Sequence, residues 1–173
     1  MKGNERRDAI LTILKNSNRP VKGGELSSSL KVSRQVIVQD IALLRAEGKD
    51  IVATPQGYVI LGGLSTSVKK VIAVRHDENQ LEDELKTVVA LGGRVIDVTI
   101  EHKIYGEITG KLMIKSFFDV EEFMLKVKNN DSKPLSYLTG GIHLHTIEAD
   151  NSEIMDRILN TLKEKGYLIS EEA

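Results

Sequence analysis

Residues 23–61 constrain this chain more than any other stretch. Leu26 and Leu30 end one short apolar stripe, and the turn Lys31-Val32-Ser33 follows it. A second stripe, Ile37, Ile41 and Leu44, is spaced four and three apart, which is helical spacing. Ser33 suits the start of this helix because its hydroxyl can accept an orphaned backbone N–H, and Gly48 suits its end. Before it, residues 4–16 read as a helix with Ile10, Leu11 and Leu14 on one side, broken by Pro20. After it, residues 51–54 and 58–61 are short β-rich runs around Pro55-Gln56-Gly57, which is hairpin chemistry. Helix, helix, three-residue turn, helix and hairpin describe a winged helix-turn-helix.

That architecture assigns work to the outward face of the third helix. A recognition helix lays its N-terminal turn in the major groove, where base edges present donors and acceptors. Arg34, Gln35 and Gln39 carry complementary groups, Ser33 can cap the helix and touch a phosphate, and Gln56 sits where a wing tip reaches the backbone. Double-stranded operator DNA is the expected partner. Asp40 reads instead as fixing a helix end or forming an ion pair rather than touching DNA, and Arg45 could do either job. The alternative is a three-helix dimerisation module without DNA contact. The segment VSRQVIVQDIALLRAEGKDIVATPQGYVI resembles the winged helix-turn-helix at the N-terminus of biotin-repressor-type regulators.

Charge is divided in the same sense. Residues 1–62 hold ten Lys/Arg against six Asp/Glu, a balance of +4; residues 63–173 hold fourteen against nineteen, a balance of −5. A basic DNA-reading module joined to an acidic domain gives this asymmetry. Cysteine is absent, which excludes disulfides and Cys-based zinc fingers, and aromatics at 4% argue against a base-stacking single-strand binder. MKGNERRDAI lacks a signal-peptide apolar stretch, and no run is long enough to span a bilayer, so a cytoplasmic protein without membrane contact is expected.

Small residues at 62–67 mark a boundary, with a linker at 63–67 and a second domain over 68–173. There the pattern predicts strand 68–76, helix 78–91, strands 94–102 and 106–114, helix 118–128, strand 141–149 and helix 152–165. A short terminal strand at 167–169 could follow. The fold class is α+β: a β-α-β-β-α-β-α sandwich with an antiparallel or mixed sheet and helices on one face.

All four histidines fall in this domain. His143 and His145 are two apart on a strand and share a face. His76 ends the first strand, and Glu84 borders the stripe of Leu81, Leu85 and Val88 on the following helix. Three neutral imidazoles and a carboxylate suit zinc, nickel or a related divalent transition metal. Spacing also permits two half-exposed imidazoles and a glutamate reaching water, and the residues around His102 and Tyr105 could be a polar strand end and turn.

The segments VRHDENQLEDEL, GRVIDVTIEHKIYGEITG and YLTGGIHLHTIEA are similar to those of the three-histidine domain behind a winged helix in niacin-responsive transcriptional repressors. The resemblance spans essentially the whole chain. It implies a homodimer on a palindromic operator, nicotinic acid as corepressor, repression of NAD-synthesis and niacin-uptake genes, and a bound divalent metal. By resemblance the metal role falls on His76, Glu84, His143 and His145; His102 is assigned to the ligand pocket or to the layer behind the metal ligands, and Tyr105 to the ligand pocket. A non-enzymatic regulator is expected. A metal-responsive regulator and a metallohydrolase with an accessory DNA-binding domain are the alternatives, since open His/Glu coordination can activate water.

Overall fold

A computed structural model describes residues 2–61 and 67–169. The chain divides into two compact units, Met1–Leu64 and Ser65–Ala173. Of the expected linker, residues 63–66 lie outside the described residues.

The first unit contains α1 (Gly3–Asn16), α2 (Gly23–Leu30), α3 (Arg34–Ala46), β1 (Ile51–Thr54) and β2 (Gly57–Ile60). Its core is the set of apolar stripes read from the sequence: Ile10, Leu14, Leu26, Ile37, Ile41 and Leu44, all nearly or wholly excluded from water. Each such side chain contributes roughly 1.5–3 kcal/mol by leaving water. Asp40 is buried beside this core, where Arg6 of α1 grips its carboxylate through Nε and, at 3.2 Å, through Nη2. The pair ties α1 to α3, which is the second of the two roles read for Asp40. The hairpin pairs Ile51 with Ile60 and Thr54 with Gly57, and Val21 joins it through two backbone hydrogen bonds with Tyr58 of 2.8 and 2.9 Å. Gly57 permits this third contact. Its φ is +140°, and a Cβ there would lie 2.6 Å from the Val21 carbonyl oxygen.

The second unit runs β3 (Val68–Arg75), a 3₁₀ turn (Glu78–Gln80) leading into α4 (Leu81–Ala90), β4 (Arg94–His102), β5 (Gly106–Ile114), α5 (Phe117–Asn129), a second 3₁₀ turn (Leu135–Thr139), β6 (Ile142–Ala149) and α6 (Ser152–Glu164). The sheet order is β3-β6-β4-β5, antiparallel at every junction. Two local details differ from the sequence pattern. The start of the expected 78–91 helix is 3₁₀, because the Asp77 carboxylate accepts the N–H groups of Asn79 and Gln80 and tightens the first turn. The expected strand at 167–169 is a single bridge between Leu168 and Val74.

One face of the sheet carries the core. Ile72, Val74, Val95, Ile147 and Ala149 are buried there with Leu85 and Val88 of α4 and Met155, Ile158 and Leu162 of α6. Burial alternates along β6, so His143 and His145 lie on the helix side with Ile147, whereas Ile142 and Leu144 point the other way. The fold thus carries two imidazoles into the interface between sheet and helices.

Candidate functional site

In the first unit, α3 presents the expected surface. Ser33 caps it, its Oγ accepting the Val36 N–H at 3.3 Å. Ser33, Arg34, Gln35 and Gln39 are exposed, opposite the buried Ile37, Ile41 and Leu44. Val38 stands among them at 50% exposure. An apolar side chain between polar ones is what contact with a thymine methyl in the major groove uses.

The second unit brings His76, Glu84, His143 and His145 together. His76 leaves the end of β3, Glu84 faces it from the first turns of α4, and β6 contributes the other two. One nitrogen or oxygen from each of His76, Glu84 and His143 lies within 4.8 Å of the others. His145 Nε2 is 3.1 Å from His143 Nε2 and 3.4 Å from Glu84 Oε1. His76 Nε2 contacts Glu84 Oε2 directly, and His143 Nε2 is 3.7 Å from the same oxygen. All four side chains are only 1–2% exposed.

Protonation follows from the other ring nitrogens. Nδ1 of His76 lies 2.9 Å from the Asp77 carbonyl, Nδ1 of His143 2.8 Å from that of Gly141, and Nδ1 of His145 2.6 Å from that of Asp97. A carbonyl only accepts, so each Nδ1 carries the proton and each Nε2 is left facing the carboxylate. This backing by main-chain carbonyls is how metal-ligating histidines are oriented. The Nε2 atoms of His143 and His145, 3.1 Å apart, thus present two lone pairs to one point beside the carboxylate, as two ligands of one cation do. Burial opposes charge on His76 and His145, yet Glu84 outweighs it and holds both above the ordinary histidine value. Burial likewise opposes the Glu84 carboxylate, and the imidazoles, His145 foremost, still hold it well below the usual range. Glu84 Oε1 is nevertheless buried with no hydrogen-bond partner among the described residues. Three nitrogens and an orphaned carboxylate oxygen fit a four-coordinate divalent metal such as zinc or nickel.

The comparisons with known proteins agree with this division. Residues 6–59 match the helix-turn-helix domain and residues 69–171 match the 3H domain. The chain is 49% identical over 167 residues to a probable transcription repressor NiaR of Thermotoga maritima, covering 96% of this chain and 95% of that protein. It is 40% identical over 172 residues to the transcription repressor NadR of Bacillus subtilis, covering 98% and 96%. The chain belongs to the niacin-responsive transcription repressor family. It is a DNA-binding transcription repressor rather than an enzyme. An uncharacterized protein of Methanothermus fervidus is 37% identical over 105 residues, which span 57% of this chain and 16% of that protein.

Two sequence expectations sit differently in the repressor. Gln56 does not project from the wing: it is 8% exposed, and among the described residues neither end of its amide has a hydrogen-bond partner. A phosphate contact from this side chain would require it to leave its pocket, because the hairpin turns it inward. His102 and Tyr105 stack on each other at the β4–β5 tip, with ring centroids 5.1 Å apart. His102 Nδ1 accepts the N–H groups of Ile104 and Tyr105 at 3.2 and 3.4 Å, so its hydrogen bonds stay within the hairpin.

The structure also adds positions that side-chain chemistry alone did not mark. The Asp97 carbonyl that anchors His145 is set by a register shift between Val95 and Asp97 in β4. A main-chain carbonyl leaves no trace in residue identity. Gly141 anchors His143 and has a φ of +92°, with space for no Cβ: one would stand 2.2 Å from the His76 oxygen. The Gly140-Gly141 pair was its visible signal.

Proposed function

We propose that the repressor holds a divalent metal, zinc or nickel, through His76, Glu84, His143 and His145, and binds nicotinic acid as its corepressor. In this reading a cytoplasmic homodimer, with nicotinic acid bound, grips double-stranded operator DNA at genes of NAD biosynthesis or niacin uptake. Ser33, Arg34, Gln35 and Gln39 of each copy meet the DNA. The observation that carries the metal assignment is the convergence of three Nε2 atoms on one buried carboxylate, each ring braced through Nδ1. The corepressor and the target genes rest on the family.

The closed character of the cluster separates this reading from its alternatives. Catalytic zinc keeps a position open to water, whereas structural zinc is enclosed by its ligands. Side chains only 1–2% exposed favour the enclosed type and weigh against a metallohydrolase. A metal-responsive regulator shares the same ligands, and titration distinguishes the two. With metal held saturating and salt fixed, added nicotinate should raise operator affinity in a gel shift, a coupling of roughly 1–3 kcal/mol being ordinary. If affinity follows metal and ignores saturating nicotinate, the metal-responsive reading replaces this one.

A further inference from the structure

The four cluster side chains are closed off from water, so a metal can enter or leave only when one of their supports opens. The supports are unequal. β6, which carries His143 and His145, is paired on both sides, and Glu84 stands on α4 beside the buried Leu85 and Val88. β3 is an edge strand whose ladder with β6 ends at Arg75 and Ile142, one residue short of His76. Among the described residues, what lies along its outer edge is the chain after α6. The Arg75 N–H donates to the Tyr167 carbonyl at 2.9 Å and the Ile169 N–H to the Ala73 carbonyl at 3.0 Å, framing the bridge between Leu168 and Val74. A Schellman turn delivers this segment. The Gly166 N–H donates to the Lys163 carbonyl and the Tyr167 N–H to that of Leu162, with Gly166 at a φ of +78°. The turn lays the Tyr167 ring against His76, centroids 5.6 Å apart and planes at 68°. Tyr167 is buried there, and its hydroxyl is fixed from α4, donating to Asp83 Oδ2 at 2.6 Å. Lys165 Nζ grips both oxygens of the same carboxylate, at 3.0 and 2.9 Å, and reaches Thr87 Oγ1 at 2.9 Å. Asp83 adjoins Glu84 in the chain, so these bonds tie the end of the chain to the turn of α4 that supplies the cluster carboxylate.

We propose that Tyr167 is the positioning residue for His76, and that its bond to Asp83 is the clasp that retains the metal. The inference rests on the metal reading of the cluster and deepens it. Tyr167 acts through His76 rather than as a ligand, because its hydroxyl is committed to Asp83. With the clasp closed, the His76 ring meets two others edge-on, those of His143 and Tyr167, while its Nδ1 stays on the Asp77 carbonyl. Freeing His143, His145 or Glu84 would disrupt an inner strand or a core helix. Freeing His76 requires only the hydroxyl bond and two backbone hydrogen bonds at a sheet edge to part. Asp83 and Lys165 are 52% and 39% exposed, so their ion pair adds little by itself, and the tyrosine hydroxyl is the stronger member of the clasp. Metal exchange therefore runs through local opening of residues 166–169, and its rate reads the strength of the clasp.

The test follows zinc release from the full-length, zinc-loaded protein into excess chelator. Tyr167→Phe keeps the ring and removes the hydroxyl, and should release zinc about tenfold faster, the loss of one hydrogen bond to a charged group. Asp83→Ala should match it, and Tyr167→Ala, which also uncovers His76, should exceed it. In the cobalt-substituted protein the visible bands should keep their positions in Tyr167→Phe and shift in Tyr167→Ala, because only the second frees the imidazole to tilt. Ile158→Val lowers stability from the buried face of α6, two turns before the clasp, and should release zinc at the wild-type rate. Wild-type release from Tyr167→Phe and Asp83→Ala, unmoved cobalt bands in Tyr167→Ala, or equal acceleration by Ile158→Val would overturn the proposal and leave the metal site standing. If elemental analysis finds no zinc in the dialysed wild type, the metal reading falls and the clasp falls with it.

Discussion

Replacing Gly141 by alanine tests the coupling between backbone and cluster most directly. At a φ of +92° a side chain carries left-handed strain of roughly 1–2 kcal/mol. The new Cβ would also stand 2.2 Å from the His76 carbonyl oxygen, where ordinary contact begins near 3.4 Å. The backbone on one side must therefore give by more than an ångström. The two effects together place the destabilisation at about 3 kcal/mol, in the range of strain at a special backbone position. The displaced groups are the mounts of His143 and His76, so metal binding suffers separately. Loss of a partner that orients a ligand typically costs about 10–100-fold in affinity. Gly140 supplies the control: its φ is +63°, but nothing lies within 4 Å of its Cβ position, so Gly140→Ala carries the strain without the collision. Zinc affinity by chelator competition, with denaturant unfolding of both variants, reads the two effects. Wild-type zinc affinity in Gly141→Ala, or equal destabilisation of the two variants, would refute this coupling.

Three other outcomes follow from the structure. In metal-free protein, the raised histidines His76 and His145 contribute stability that is complete below the ordinary value near 6.5 and is lost as pH rises through their folded values. Glu84, held low, contributes above its ordinary 4.5 and loses that share as pH falls through its folded value. The denaturation midpoint of chelated protein should thus fall on the alkaline side, while zinc affinity climbs as protons stop competing; midpoint and affinity rising together would contradict this. Asp40→Ala strips the buried partner from Arg6 and should lower the stability of the winged-helix unit clearly more than Glu25→Ala, which breaks the exposed Arg19–Glu25 pair. Equal losses by denaturant titration would refute the anchoring role of Asp40. Arg34→Ala and Gln39→Ala should each weaken operator binding, by about 1–3 kcal/mol where the side chain reads a base. A gel shift at fixed salt that matches wild type for both would remove α3 as the reading helix.

The sequence alone determined the parts of this repressor that depend on local periodicity and on side-chain identity. The stripe of Ile37, Ile41 and Leu44, the Ser33 cap and the strand alternation that turns His143 and His145 to one face all follow from spacing within one element. Asp40 was readable as an ion-pair partner because a carboxylate is ill suited to negatively charged DNA, although its partner, Arg6, lies 34 residues away. What required the tertiary structure was everything set by neighbours distant in the chain. The bulge in β4 aims the Asp97 carbonyl at His145 from 48 residues away. The fold of the hairpin against Val21 turned Gln56 inward, contrary to what its place at a wing tip suggested. A cleft beside the cluster is lined by Ser136 and Tyr137 of the 3₁₀ turn at Leu135–Thr139, for which the sequence carries no periodic signal. Periodicity fixes which way a side chain faces within its own element; only packing decides what it meets there and whether water can follow.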